Sequence, residues 1–315
     1  MIIAITGGTG FIGRKLVLQH LARGDAVRVL TRRLPAQSGL PAAVQHYQGD
    51  LASSEDLRRF VEGADLLYHC AGEVRSAELM QAVHVEGTRK LIEAAAGQIR
   101  RWVQLSSVGA YGQQRGSVIS EDSAPNPCGT YEVSKTESDA LLAAAAANGA
   151  FESVILRPSN VYGAQMSNHS LFGLISMIQR GLFFFIGKPG ASANYIHVDN
   201  VADALLLCAT LPQASGRIYN LSDHRTMEQF VAAIAKGLGR DTPRTRLPEA
   251  PVRLLARLAG VVPRIPLTEA RVDALTNRTI YPSTRIEQEL GYRHRVSMES
   301  GLVELVGSWK SSQAK

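Results

Sequence analysis

Apolar residues in this chain gather in short runs, separated by longer stretches where they recur every three or four positions. Residues 2–6, 26–31, 44–47, 65–69, 101–106 and 153–157 are rich in Val, Ile and Leu and predict buried strands. Between them, 11–23, 53–62, 78–96 and 130–147 carry helical spacing. Strand and helix in alternation predict an α/β fold, a doubly wound parallel sheet with helices on both faces. After Pro158 the rhythm breaks. Gly, Asn and aromatic residues crowd 159–195, followed by a strand-like 195–198, a helix over 200–210 and a strand-like 217–221. From Thr226 the pattern is mostly helical, punctuated by Pro243, Pro248, Pro251, Pro263 and Pro266. The expected division is a sheet domain from 1–158 plus about 195–225, and a smaller, mostly helical C-terminal domain from about 159–194 plus 226–315.

The first turn carries chemistry. Thr6-Gly7-Gly8-Thr9-Gly10-Phe11-Ile12-Gly13 leaves the first strand and opens the first helix. Gly8, Gly10 and Gly13 fit G-x-G-x-x-G, while Gly7, Gly10 and Gly13 fit G-x-x-G-x-x-G. Glycines there permit a tight turn, close approach of backbone to a pyrophosphate, and close helix–strand packing; the helix start supplies amide donors. Between a strand and a helix, the string predicts dinucleotide binding and a Rossmann fold for the sheet domain. An NAD site places an acidic residue at the end of the second strand, to accept from the ribose 2′-hydroxyl. This chain has Thr31-Arg32-Arg33 there, and guanidinium groups suit a 2′-phosphate, so NADP(H) is favoured over NAD(H).

Composition narrows the partners. With 45% hydrophobic and 20% charged residues among 315, the chain is expected to fold around a sizeable core. Its net charge of +6 comes from scattered residues and pairs such as Arg58-Arg59 and Arg100-Arg101, with no block of five, so no nucleic-acid partner is expected. Cys70, Cys128 and Cys208 are odd in number and far apart, which argues for a reducing compartment and against a disulfide framework or metal cluster. The opening Met1-Ile2-Ile3-Ala4-Ile5 has no basic n-region, and no secretory signal is expected. The apolar 171–186 is interrupted by Gln179, Arg180 and Gly181 and is too broken to span a bilayer. A soluble, cytoplasmic protein is expected.

Tyr131-Glu132-Val133-Ser134-Lys135 sets a phenol and an ammonium on one helical face. A phenol with a pKa of about 10 is a poor base at neutral pH, and a neighbouring Lys favours its ionised form. The fifth strand ends in Leu105-Ser106-Ser107, which puts hydroxyls at the carboxyl edge of the sheet, where doubly wound folds bind ligands.

These strings recur with Gly49-Asp50-Leu51, His69-Cys70-Ala71-Gly72, Gly87-Thr88, Ser106-Ser107-Val108-Gly109-Ala110-Tyr111-Gly112, Leu156-Arg157-Pro158-Ser159-Asn160-Val161-Tyr162-Gly163, Tyr195-Ile196-His197-Val198-Asp199-Asn200 and Glu289-Leu290-Gly291-Tyr292. In this order they resemble the extended short-chain dehydrogenase/reductase superfamily, in its NAD(P)-dependent sugar-nucleotide epimerase/dehydratase branch, over nearly the whole chain. The resemblance implies catalytic roles for Ser107, Tyr131 and Lys135: Ser107 binds the reacting oxygen, Tyr131 is the acid/base, and Lys135 holds the nicotinamide ribose and depresses the Tyr131 pKa. Ser106 is the alternative to Ser107. It implies cofactor contacts from Gly7, Gly10, Phe11, Ile12, Gly13, Asp50, Leu51, Ala71, Gly72 and Pro158, substrate contacts from Ser107, Asn160 and Asn168, and no metal. It also implies a homodimer joined by two helices of each subunit, which the small side chains at 143–147 would favour.

Two departures bear on that expectation. His84 stands where the branch has Asn, and is expected to be structural. Ala193-Asn194 stands where the branch often has Arg-Asp, the Arg helping to bind a nucleotide diphosphate. Phe183-Phe184-Phe185 is expected as a packed loop rather than a lid, and 251–262, with Leu254, Leu255, Leu258 and Val261 on one side, as an amphipathic docking helix. The expected activity is NADPH-dependent reduction of a keto group on a nucleotide-linked deoxysugar. Its alternatives are a nucleotide-sugar 4-epimerase with tightly held NAD, a sterol- or flavonol-type 3β-hydroxy dehydrogenase, and a catalytically silent dinucleotide sensor.

Overall fold

A computed structural model describes residues 1–114, 116–166, 170–259 and 268–313. Its strands are β1 (Ile2–Thr6), β2 (Ala26–Thr31), β3 (Gln45–Gln48), β4 (Leu66–His69), β5 (Arg101–Leu105), β6 (Glu152–Pro158), β7 (Asn160–Tyr162), β8 (Phe185–Ile186), β9 (Ser192–His197), β10 (Ile218–Leu221), β11 (Asp223–Thr226) and β12 (Arg246–Leu247). The main sheet has the order β10-β6-β5-β4-β1-β2-β3, and every neighbouring pair is parallel. Chain direction across the sheet reverses between β1 and β4, where such folds open a crevice at the carboxyl ends of the strands.

Side chains alternate between two buried faces, which is why these strands read as continuous apolar runs. Ile3, Ile5, Leu66, Tyr68, Val103, Val154 and Leu156 face one core with Leu16 and Val17 of helix Gly13–Ala22 and Val201 and Leu205 of helix Val198–Thr210. Ala4, Leu67, Trp102 and Ile155 face the other, with Leu57 and Phe60 of helix Ser54–Val61, Leu91 of helix Gly87–Ala95 and Leu142 of helix Thr130–Ala147. Ser53 caps its helix, its hydroxyl accepting from Asp56 N.

One element differs from expectation. The single helix expected over 78–96 is three pieces: Ala77–Met80, a π-helical turn Gln81–Glu86, and Gly87–Ala95. A π turn inserts one residue into an otherwise helical path, which apolar spacing does not reveal.

The second region has a core of its own around Met166, Leu171, Phe183, Phe185, Phe230 and Leu302, carried by β7, β9 and β11 and by helices Ser170–Gln179, Met227–Leu238 and Met298–Gln313. The seam runs along β9. Ala193 and Tyr195 point into this second core, while Ile196 points into the first. Phe183 and Phe185 are buried edge-to-face at 5.0 Å; the segment is packed, as expected, but Phe185 belongs to β8 rather than to a loop. Helix Glu249–Ala259 docks through Val252 and Ala256 against Ile186 and Val272; of the stripe expected from sequence, Leu254 and Leu255 are exposed, and the side chain of Leu258 lies outside the described ones. The helix is turned by Arg253, which ion-pairs with Glu249 and Asp273 and so lies inward. Val261 lies outside the described residues. Among the described residues no helix is long and apolar enough to cross a membrane.

Candidate active site

At the carboxyl ends of β1 to β4 lies a cleft of about 550 Å³, lined by Gly7, Gly10, Arg32, Arg33, Asp50 and Leu51 among others. Gly7 has a φ of +69°, and a Cβ on it would lie 2.6 Å from the backbone of Cys70 and Ala71. A Cβ on Gly13 would collide with the Gly7 carbonyl. Only glycine fits at either place, and bare backbone is left facing the cleft at a helix start. That is the cradle a dinucleotide pyrophosphate requires, so these residues fit the cofactor. Arg32 stands at the rim, its side chain 82% exposed and its Nε 3.7 Å from Asp50 Oδ2. The Phe11 side chain packs against the second core, beside Gly163.

Cys70, Ala71 and Gly72 line this cleft and also a second one of about 360 Å³, so the two share a wall. The second cleft brings together Ile12, Ser106, Ser107, Tyr131, Lys135, Pro158 and Asn160. Ser106 Oγ is buried and donates to Asp139 Oδ2 at 2.7 Å, whereas Ser107 Oγ accepts from Gly109 N at 3.0 Å and keeps its own proton to donate. That difference favours Ser107 as the hydroxyl open to a substrate. Asn160 Nδ2 donates to Asn194 O. Asn168 lies outside the described residues.

Lys135 is buried, and its Nζ donates to Leu105 O at 2.7 Å. Burial lowers its pKa, and the Asp139 carboxylate one turn along opposes that. Burial, and after it the Asp139 charge, raises the Tyr131 phenol above its usual value. Lys135 does not offset that rise, its ammonium being turned to the Leu105 carbonyl. The phenol therefore remains protonated at neutral pH.

Behind these groups sits a charge pair that sequence reasoning missed. Arg157 Nη2 lies 3.1 Å from Asp139 Oδ2, both side chains buried, and the guanidinium also lies 5.0 Å from the centre of the Tyr111 ring. Tyr111 in turn donates to Asn220 Oδ1. Burial raises the Asp139 carboxyl while Arg157 pulls it down. In sequence, Tyr131, Lys135 and Asp139 follow at four-residue steps on one helical face, and Arg157 is the one charge of the apolar run 153–157.

Two further buried histidines flank the shared wall. Thr6 Oγ1 accepts from Ala71 N and lies 2.6 Å from His69 Nδ1, and His69 Nε2 lies 3.1 Å from Thr88 Oγ1. His84 is a buried, hydrogen-bonded side chain: Nε2 accepts from Glu73 N and Nδ1 contacts Ser134 Oγ, both at 2.8 Å. Another cleft, of about 610 Å³, opens in the second region and is lined by Lys188, Arg246 and Arg278.

Residues 3–222 match the NAD dependent epimerase/dehydratase family. The chain is 28% identical over 316 residues to the 4-hydroxy-2-methyl-3-oxo-4-farnesyl-3,4-dihydroquinoline-1-oxide ketoreductase of Stigmatella aurantiaca, covering 95% of this chain and 93% of that one. It is 27% identical over 333 residues to short-chain dehydrogenase/reductase family 42E member 1 of Homo sapiens, covering 92% and 83%. Its fold is that of a UDP-glucuronic acid 4-epimerase from Bacillus cereus solved in complex with NAD, with a TM-score of 0.76, 19% identity and 99% of each chain covered. With the glycine cradle, the reversed strand order and the Tyr131–Lys135 pair at one crevice, this chain is an NAD(P)-dependent enzyme of the short-chain dehydrogenase/reductase superfamily and belongs to the NAD dependent epimerase/dehydratase family.

Proposed function

We propose that the protein is an NADP(H)-linked carbonyl reductase with Tyr131 as its acid. The observation that supports this best is the shared wall, which sets Ser107, Tyr131 and Lys135 next to the dinucleotide cradle. The reduced nicotinamide, when bound, supplies hydride to the carbonyl carbon. Ser107 Oγ donates to the carbonyl oxygen and orients it. Tyr131, kept protonated by burial, then gives its proton to that oxygen and becomes phenolate. Lys135, fixed on Leu105 O beside the shared wall, would hold the nicotinamide ribose.

Arg32 and Arg33, at the end of β2 on the cleft rim, favour a 2′-phosphate and hence NADP(H). For the substrate, a keto group on a nucleotide-linked deoxysugar is the first reading, supported by Lys188 and Arg278 in the second-region cleft, which also holds Glu249 and an Arg246 already ion-paired with Glu228. A ketone on an apolar skeleton is the second. Ala193, where the branch often has Arg, is buried and turned into the second core, and so gives a diphosphate nothing. The Stigmatella aurantiaca relative is named for a farnesylated ketone. Exposed Ala143, Ala144 and Ala147 on the catalytic helix favour a homodimer, which light scattering at micromolar concentration would test; a monomer contradicts it.

Binding of NADPH and NADH is compared by fluorescence, then NADPH oxidation is followed with a nucleotide-linked 4-ketosugar and with an alicyclic ketone. Tighter NADPH binding and consumption with one ketone are expected. Tighter NADH binding would overturn the cofactor assignment. Interconversion of nucleotide sugars without net NADPH loss would make the protein an epimerase.

A further inference from the structure

His84, on the π turn Gln81–Glu86, bridges the loop at Glu73 and the helix at Ser134 and is 1% exposed. Its Nε2 accepts from the amide of Glu73, in the loop that follows the shared wall Cys70, Ala71 and Gly72. A neutral imidazole that accepts at Nε2 carries its proton on Nδ1, so Nδ1 donates to Ser134 Oγ. Ser134 Oγ donates onward to the carbonyl of Tyr131 at 3.1 Å, and the His84 ring stands edge-on to the Tyr131 ring, 5.5 Å between centroids at 82°. On the loop side the fit is close: a Cβ on Gly72 would lie 3.3 Å from Nε2.

The backbone of His84 is held as well. Thr88 Oγ1 donates to His84 O at 2.5 Å. Its remaining capacity is to accept, so His69 donates to it from Nε2 and accepts the Thr6 hydroxyl proton at Nδ1. A hydrogen-bonded path thus runs from the strand end at Thr6, beside the glycine cradle, to the turn that bears His84.

We infer that His84 is a positioning residue that clamps the 72–76 loop, beside the dinucleotide, to the catalytic helix at Tyr131. The inference rests on the function proposed above. One rigid ring with two bonds fixes the spacing between the cofactor wall and the acid, and holds the Tyr131 ring by its edge. The neutral form is required, because a protonated ring has no acceptor for Glu73 N. Burial keeps it neutral by pulling the pKa down to about 4, with Lys135 adding to the effect.

The two bonds separate by substitution. In His84→Gln, the amide oxygen sits near the place of Nε2 and keeps an acceptor for Glu73 N. In His84→Asn, the amide nitrogen sits near Nδ1 and keeps a donor for Ser134. His84→Phe keeps the ring and loses both. Each lost bond is expected to cost about tenfold. H84F should weaken NADPH binding about tenfold and lower kcat about tenfold; H84Q should restore the Kd and not kcat, and H84N kcat and not the Kd. Amide exchange at Glu73, measured on the protein without cofactor, should quicken about tenfold in H84F and H84N and stay near wild type in H84Q.

Folded H84F with Kd, kcat and Glu73 exchange all within twofold of wild type would overturn the clamp. So would H84Q and H84N sharing one pattern, which also decides the matter if H84F does not fold. A lower melting temperature with unchanged Kd, kcat and exchange would make His84 merely structural, against the inference. Failure of the wild type to bind either dinucleotide would sink the proposed function, whereas the clamp is still judged by Glu73 exchange.

Discussion

At its adenosine end the crevice is made of bare backbone and exposed charge; at its catalytic end it is made of buried charge. Gly7 and Gly13 exclude side chains from the first, and Arg32 there is 82% exposed. Lys135, Asp139 and Arg157 at the second are 4%, 3% and 3% exposed and are held by hydrogen bonds to one another's neighbours. The contrast has an energetic reason. A charge in water is weakly coupled to the fold, so its replacement changes what binds and little else. A buried charge without its partner destabilises the whole domain. On the proposed function, cofactor preference would change by substitution at the surface, whereas Tyr131 stands on a helix anchored in the core.

The largest effect should come from breaking the buried pair. Arg157→Met leaves Asp139 charged and unpaired, and should cost roughly 3–5 kcal/mol in urea unfolding. The double replacement Asp139→Leu with Arg157→Met should recover much of that loss. Equal losses in the single and double variants would mean that the pair is not what anchors the catalytic helix.

Next is Gly7→Ala, which forces a left-handed φ on a residue with a Cβ and sets that Cβ 2.6 Å from backbone. A loss of roughly 1–3 kcal/mol is expected from the conformation alone, with dinucleotide binding lost beyond detection. Wild-type NADPH affinity in this variant would show that the cradle does not hold the pyrophosphate.

The buried end should also respond to pH. His84 is held at about 4, below its ordinary 6.5, by burial and then by Lys135. As pH falls, the unfolded chain takes up this proton before the folded one. The stability tied to the neutral ring is thus complete above about pH 6.5 and is lost between about 6.5 and 4, at roughly 1.4 kcal/mol per unit. H84F should unfold with a shallower pH slope over that window than wild type. Identical slopes would contradict the buried, neutral assignment.

The smallest effect belongs to the exposed end. Arg32→Ala with Arg33→Ala should weaken NADPH binding about tenfold, leave NADH binding within twofold, and leave the melting temperature nearly unchanged. An equal loss for both dinucleotides would break the contrast between the two ends.

The same contrast explains what could be read from sequence. Gly7 and Gly13 were legible because sterics permit nothing else at those positions, Gly10 by its spacing between them, and the strands because both of their faces are buried. Tyr131 and Lys135 were legible from their four-residue spacing. Asp139 and Arg157 were visible as residues but not as a pair, since 18 residues and a helix-to-strand crossing separate them. The π turn that aims His84 at Ser134 leaves no trace in apolar spacing, and the docking of helix Glu249–Ala259 depends on ion pairs with Asp273, on another helix. The cleft of Lys188, Arg246 and Arg278 is assembled from three distant segments, and no local pattern announces it.

The central claim is that Tyr131 is the acid of a carbonyl reduction, and Tyr131→Phe tests it most directly. The substitution removes one hydroxyl and keeps the ring edge against His84. NADPH binding should stay within about twofold of wild type while kcat for ketone reduction falls by about 10²–10⁴. Unchanged turnover, with NADPH bound as before, would contradict the account.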